Sequence, residues 1–256
     1  MINQQLHRQP VALDSAQHRN LKLRLPVTDW KVAKDLNALF VAAAEFGDVC
    51  REYPIVFVKA GQEPDGSDAI APIAVLGLTQ GENLYVSGER WRGHYMPALL
   101  RMYPFCIARL DDQRFAICID MAFSGTSVIE GQPLFKDNGD AADLLKNARE
   151  QLETLEGEVQ RTRAFGKRLH ELGLLVDMRF DVTLPDGRKH SVDGFMTIDD
   201  KKATDLPEAT VAELHKSGML GLMHAHWISM GNMRRLVDWH VERGAAATTA
   251  AAPASA

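Results

Sequence analysis

The densest run of chemistry-bearing side chains lies between Gly88 and Phe105. There Gly88-Glu89-Arg90-Trp91-Arg92-Gly93-His94-Tyr95-Met96-Pro97 is followed by Arg101-Met102-Tyr103-Pro104-Phe105. Arg presents a planar fork to carboxylates or phosphates, and aromatic faces stack a flat ligand or the guanidinium itself. The same residue types anchor protein interfaces. Trp91, Arg92, His94, Tyr95, Arg101, Tyr103 and Phe105 are therefore the candidate binding residues. They also fit a purely structural role. In that role an aromatic corner fastens a short helix, Met96 to Met102, to a sheet, with Arg101 paired to a buried carboxylate.

Other constellations point away from catalysis. His224 and His226 would share a face on a strand and could hold a metal, but the surrounding pattern is helical and sets them roughly 200° apart. His240 lies too far along the chain to be an obvious third ligand, so one packed and one solvent-facing histidine are expected, and no metal. Ser124, His94 and Asp120 supply the residue types of a hydrolytic triad without any motif around them. Gly77 and Gly81 do not make a dinucleotide fingerprint, Ser124-Gly125-Thr126-Ser127 lacks the lysine of a phosphate loop, and no nucleophile elbow occurs. No catalytic residue and no cofactor are expected. Asp111-Asp112 and Asp199-Asp200 read as solvated turn residues.

These side chains need elements to place them. Phe105–Leu110 and Arg114–Asp120 flank Asp111-Asp112-Gln113 and predict a hairpin. A turn centred on Asp112 puts Phe105 and Ile107 on one face with Ile117 and Ile119, and sets Cys106 opposite Cys118. Both faces are nearly apolar, so the hairpin should be buried on both sides, with the thiols filling tight space. Tyr53–Val58, Ile73–Leu78 and Leu84–Ser87 read as further strands, with Gly61–Asp68 as a surface turn. Leu145, Ala148, Leu152, Leu155 and Val159, then Phe165, Leu169 and Leu172, give a long helix over 140–172, interrupted by Gly157 and Gly166 and stopped at Gly173. Its stripe could meet the chain's own sheet or serve as a homodimer seam. A second hairpin turns at Pro185-Asp186-Gly187. Helices follow from Asp205-Pro207 and over Met219–Val241. Strands come first and helices later, so the fold class is α+β: a mostly antiparallel sheet built from hairpins, with the long helix and C-terminal helices packed on it. Residues 1–242 are expected to form one domain, and 243–256 an unstructured Ala-rich tail.

Composition narrows the class. The chain has 256 residues, 46% of them hydrophobic, which suffices for a sizeable core. Its 29 basic and 34 acidic residues give a net charge of −5, the wrong sign for a general nucleic-acid binder. The longest stretch without Lys, Arg, Asp or Glu, Ser217–Met233, holds two His, three Gly, two Ser and an Asn, so no transmembrane segment is expected. Met1–Pro10 lacks the apolar run of a signal peptide, and three cysteines suit a reducing compartment. A cytoplasmic location is the expectation.

Several stretches together carry a likeness. Pro10–Ser15 with His18-Arg19, Ala44-Glu45-Phe46, Arg51-Glu52-Tyr53-Pro54-Ile55-Val56-Phe57, Trp91–Pro97, Arg101–Phe105, Gly131–Phe135, Leu172-Gly173-Leu174-Leu175, Asp193-Gly194 and Lys216-Ser217-Gly218 resemble the bacterial SapC-like family. The resemblance spans nearly all of Met1–His240. It implies a bacterial protein associated with surface layers (S-layers), or encoded beside halogenase-like proteins and outer-membrane receptors, with surface association possible. It implies no particular active site. The expected function is thus a non-catalytic accessory or interaction protein with a protein partner. The alternative is a small-molecule binder or enzyme acting on an aromatic or amino-acid carboxylate.

Overall fold

Alternating apolar residues build an antiparallel hairpin in the computed structural model, and the observed register is the one that alternation predicts. Phe105–Arg109 pairs with Phe115–Asp120 through Phe105↔Ile119, Cys106↔Cys118 and Ile107↔Ile117. The structure describes residues 1–110, 114–183 and 189–251. The expected turns at Asp111-Asp112-Gln113 and Pro185-Asp186-Gly187 lie outside them. Phe105, Cys106, Ile107, Ile117, Cys118 and Ile119 are all buried. The N-terminal strand Pro10–Ala12 completes a three-stranded sheet on the far side of Phe115–Asp120.

The chain divides into two compact units. The first unit contains Met1–Lys34, Val86–Arg92 and Met96–Val159. Besides the three-stranded sheet it holds a small sheet of Thr126–Ser127, Lys22–Leu23 and Gln132–Pro133, and a two-stranded ribbon, Val86–Ser87 with Arg90–Trp91. The short helix expected at Met96–Met102 forms as Ala98–Arg101.

The second unit contains Asp35–Tyr85, Gly93–Tyr95 and the chain from Gln160 onward. Its sheet has five strands in the order Leu175–Thr183, Lys189–Ile198, Ile55–Gln62, Asp68–Val75, Ala38–Phe40. Tyr53, Tyr85, Phe46, Phe57 and Phe165 sit at its core. His226 ties a helix to this sheet. Its Nδ1 donates to the Ile55 carbonyl (2.7 Å), and its Nε2 accepts from the Ile198 amide (3.2 Å). Ser229 Oγ takes the Ile55 amide (2.9 Å), so one turn of the helix Met219–Ser229 satisfies both backbone groups of a single strand residue. His224 is exposed, as the helical spacing requires.

The long helix forms as Asp143–Glu171, its first part in the first unit and its remainder in the second. Leu145, Ala148, Leu152, Leu155, Phe165 and Leu169 of its apolar stripe are buried, and Val159 and Leu172 are half-buried. Both helices and antiparallel sheets are present, and the fold is α+β. Three expectations change. Asp199 is not a loose turn residue: its carboxylate caps the helix Asp200–Thr204 through the amides of Lys201 and Lys202. The single helix expected over Met219–Val241 is broken by a 3-10 turn at Met230–Asn232, which contains Gly231. The last helix, Met233–Ala251, runs into the stretch expected to be an unstructured tail. Among the described residues, no helix is long and apolar enough to cross a membrane.

Candidate functional site

The seven candidate residues are divided between the two units. Trp91, Arg92, Arg101, Tyr103 and Phe105 belong to the first unit, His94 and Tyr95 to the second. In the second unit, the Glu52 carboxylate accepts from the backbone amides of His94 (2.8 Å) and Tyr95 (3.3 Å), and His94 Nδ1 stands 3.3 Å from it. Tyr53 donates its hydroxyl to the Tyr95 carbonyl. The Tyr95 hydroxyl donates to buried Glu45 (2.8 Å), whose second oxygen accepts the Ala42 amide. Three stretches that carry the family likeness, around Glu45, Glu52 and Tyr95, thus meet in one clamp. Tyr85 stacks on Tyr53 and donates to the Glu52 carbonyl (2.6 Å); burial holds its phenol well above the ordinary range. His94 and Tyr95 therefore act as fasteners, with the His94 side chain almost wholly in solvent.

The first unit holds a cleft of about 640 Å³ with an open mouth. Its floor is apolar: Trp30, Leu100, Met102, Tyr103, Phe105 and Ala148. Its polar lining comes from Arg101 and from three amides, Gln132, Asn147 and Gln151. Each part has a local cause. Asp29 accepts the Lys31 amide and starts the 3-10 turn that presents Trp30. The Trp30 amide donates to the Glu89 carbonyl (2.8 Å), and Trp91 meets the Trp30 ring edge-on at 6.1 Å. Trp91 thus packs against a ring that lines the cleft. Arg101 Nη1 donates to the Met96 carbonyl (2.9 Å). Asn147 and Gln151 follow Leu144 and Ala148 along one face of the long helix.

Below the floor lies a buried polar group. The Tyr103 hydroxyl donates to Asp120 (3.1 Å), and the other oxygen of Asp120 accepts the Gln9 (2.7 Å) and Ala122 (3.2 Å) amides. Burial, reinforced by Asp120, raises the Tyr103 phenol above its usual range. His7 stacks on Tyr103 at 5.9 Å and accepts the Asn3 amide at Nδ1. Burial lowers its pKa to about 4, so the ring is neutral near pH 7. Burial pushes the Cys106 thiol up to about 12 and raises Cys118 as well, which removes thiolate character from both. Asp120 is committed to Tyr103 and to backbone, Ser124 is exposed, and His94 belongs to the other unit. Among the described residues, no group of three or more His, Cys, Asp or Glu gathers to hold a metal.

A second cleft of about 700 Å³ in the first unit mixes Arg114 and Arg149 with Asp140 and Glu153. Of the candidate residues, Arg101, Tyr103 and Phe105 line the first cleft. Sequence reasoning found Arg101, Tyr103 and Phe105 and missed Trp30, Gln132, Asn147 and Gln151. The missed signal was the amide pair spaced i, i+4 beside the apolar stripe.

The model of the family described as SapC matches residues 13–236, which includes the whole cleft. A search of the curated proteins gives no match, and a search of the solved structures gives none either.

Proposed function

The chain belongs to the SapC family, and from that premise we propose that it is a non-catalytic accessory protein. In this reading it holds a protein partner within a bacterial envelope system of the surface-layer kind, or beside a halogenase-like enzyme. One observation carries the reading: the cleft joins an apolar floor to a polar lining of amides and one guanidinium. Such groups recognise and orient. General acid–base work near neutral pH needs a positioned group that titrates there, and the Tyr103 phenol turns its hydroxyl down onto Asp120. Apolar burial at roughly 25 cal/mol per Å² would supply the affinity, and the polar groups the orientation.

The test is recovery of the tagged full-length chain from the bacterium that carries it. A fixed-stoichiometry envelope or halogenase-like partner is expected, weakened by Trp30→Ala. Turnover of any compound by the purified protein in a broad metabolite screen would sink the reading. A second reading, a binder of an aromatic or amino-acid carboxylate, is favoured by the meeting of Arg101, Tyr103 and Phe105 at one cleft. It requires saturable binding of a free amino acid or aromatic acid.

A further inference from the structure

We propose that the cleft of the first unit receives the C-terminal segment of an extended, apolar peptide chain. This rests on the binding role given to the cleft above and names the kind of partner segment it takes. The argument starts from the polar lining. Asn147 and Gln151 are four residues apart on one face of the long helix, so their Cα atoms are separated by about 6 Å along its axis. In an extended peptide, backbone groups that point the same way repeat every two residues, about 6.6–6.8 Å. Two amides on a helix at this spacing can therefore meet successive same-side peptide groups. Each carboxamide offers both a donor and an acceptor, which is what a peptide unit needs. Gln132 supplies a third such group from a different segment. The amides of Gln132, Asn147 and Gln151 have no hydrogen-bond partner among the described residues. A fatty or aromatic acid would leave these three amides unused.

The floor fixes the side-chain chemistry. Trp30, Tyr103 and Phe105 give rigid apolar area, and Met96 and Met102 add unbranched thioethers that adapt to different shapes. Charge fixes the end of the chain. Arg101 is the single charged side chain of the lining, and it is cationic. An apolar peptide carries its carboxylate at its C-terminus, so Arg101 selects that end. The volume of about 640 Å³ lies within the range of sites that enclose a ligand of this size.

The experiment offers the immobilised full-length chain two pools of short peptides randomised over Ala, Leu, Met, Phe and Val. One pool ends in a free carboxylate and the other in a C-terminal amide, and retained peptides are read by mass spectrometry. The free-acid pool should be retained roughly tenfold better than the amidated pool. Arg101→Gln should abolish that preference, and Asn147→Ala with Gln151→Ala should lower retention of both pools roughly tenfold. The variants' thermal transitions show whether they fold. Should a variant fail to fold, competition by decanoate on the wild-type chain decides: decanoate should displace the peptides only weakly. Equal retention of both pools, no peptide retention, or unchanged retention by the folded amide variant would overturn the proposal. Tight decanoate binding without peptide retention would overturn it too, while leaving a binding role for the cleft intact. Metabolite turnover, in contrast, strikes the accessory role itself.

Discussion

Among the described residues, burial holds His226 and His7 neutral, each with a folded pKa of about 4 against an ordinary 6.5. Between those values the unfolded chain binds a proton that the folded chain refuses. Their contribution to stability is therefore complete above about pH 6.5 and declines as pH falls toward 4. Across that window each could remove at most about 3 kcal/mol. Urea unfolding at pH 7 and at pH 4.5 should show the loss, and His226→Gln should show a smaller one. Parallel losses in both proteins would mean that His226 titrates normally. Tyr95→Phe addresses the clamp. Removing the hydroxyl takes one donor from buried Glu45 and should cost about 1–2 kcal/mol, read as a lower urea midpoint. His94→Ala should leave the midpoint nearly unchanged, because its side chain lies in solvent.

At the scale of elements, the two glycines of the long helix make opposite predictions. A methyl group on Gly157 would meet nothing within 4 Å, so Gly157→Ala should raise stability by up to about 1 kcal/mol. A methyl group on Gly166 would lie 2.3 Å from the Ile70 carbonyl oxygen, because the helix backbone there rests directly on a strand. Gly166→Ala should lower the thermal midpoint, and a pair of melting curves decides both. The sequence pattern interrupts the helix at both glycines alike and cannot tell them apart, since the difference lies in a strand almost a hundred residues earlier. The central hairpin was legible for the converse reason: its alternation is local, and shifting the register by one residue would turn every side chain to the other face. The cleft was only half legible. Arg101, Tyr103 and Phe105 stand close in sequence, whereas Trp30, Gln132 and Asn147 join them only through tertiary folding. Likewise Glu52 shows no sequence sign that its carboxylate will hold the amides of residues 94 and 95.

At the scale of the molecule, each unit is assembled from three separate stretches of chain. A fragment ending at residue 159 would contain the whole first unit together with two stretches of the second, 35–85 and 93–95. It would carry the strands Ile55–Gln62 and Asp68–Val75 without their partner Lys189–Ile198 and without His226 to satisfy Ile55. Unpaired apolar strand edges promote association. This fragment should therefore bind a hydrophobic dye and run as oligomers in size-exclusion chromatography; a dye-silent monomer would show that the first unit tolerates those stretches. The same threading has a practical side. Met1 falls in one unit and the C-terminal helix in the other, so fluorophores fused at the two ends would label one unit each. Energy transfer between them would then register any change in inter-unit distance when a ligand arrives, with no internal residue altered.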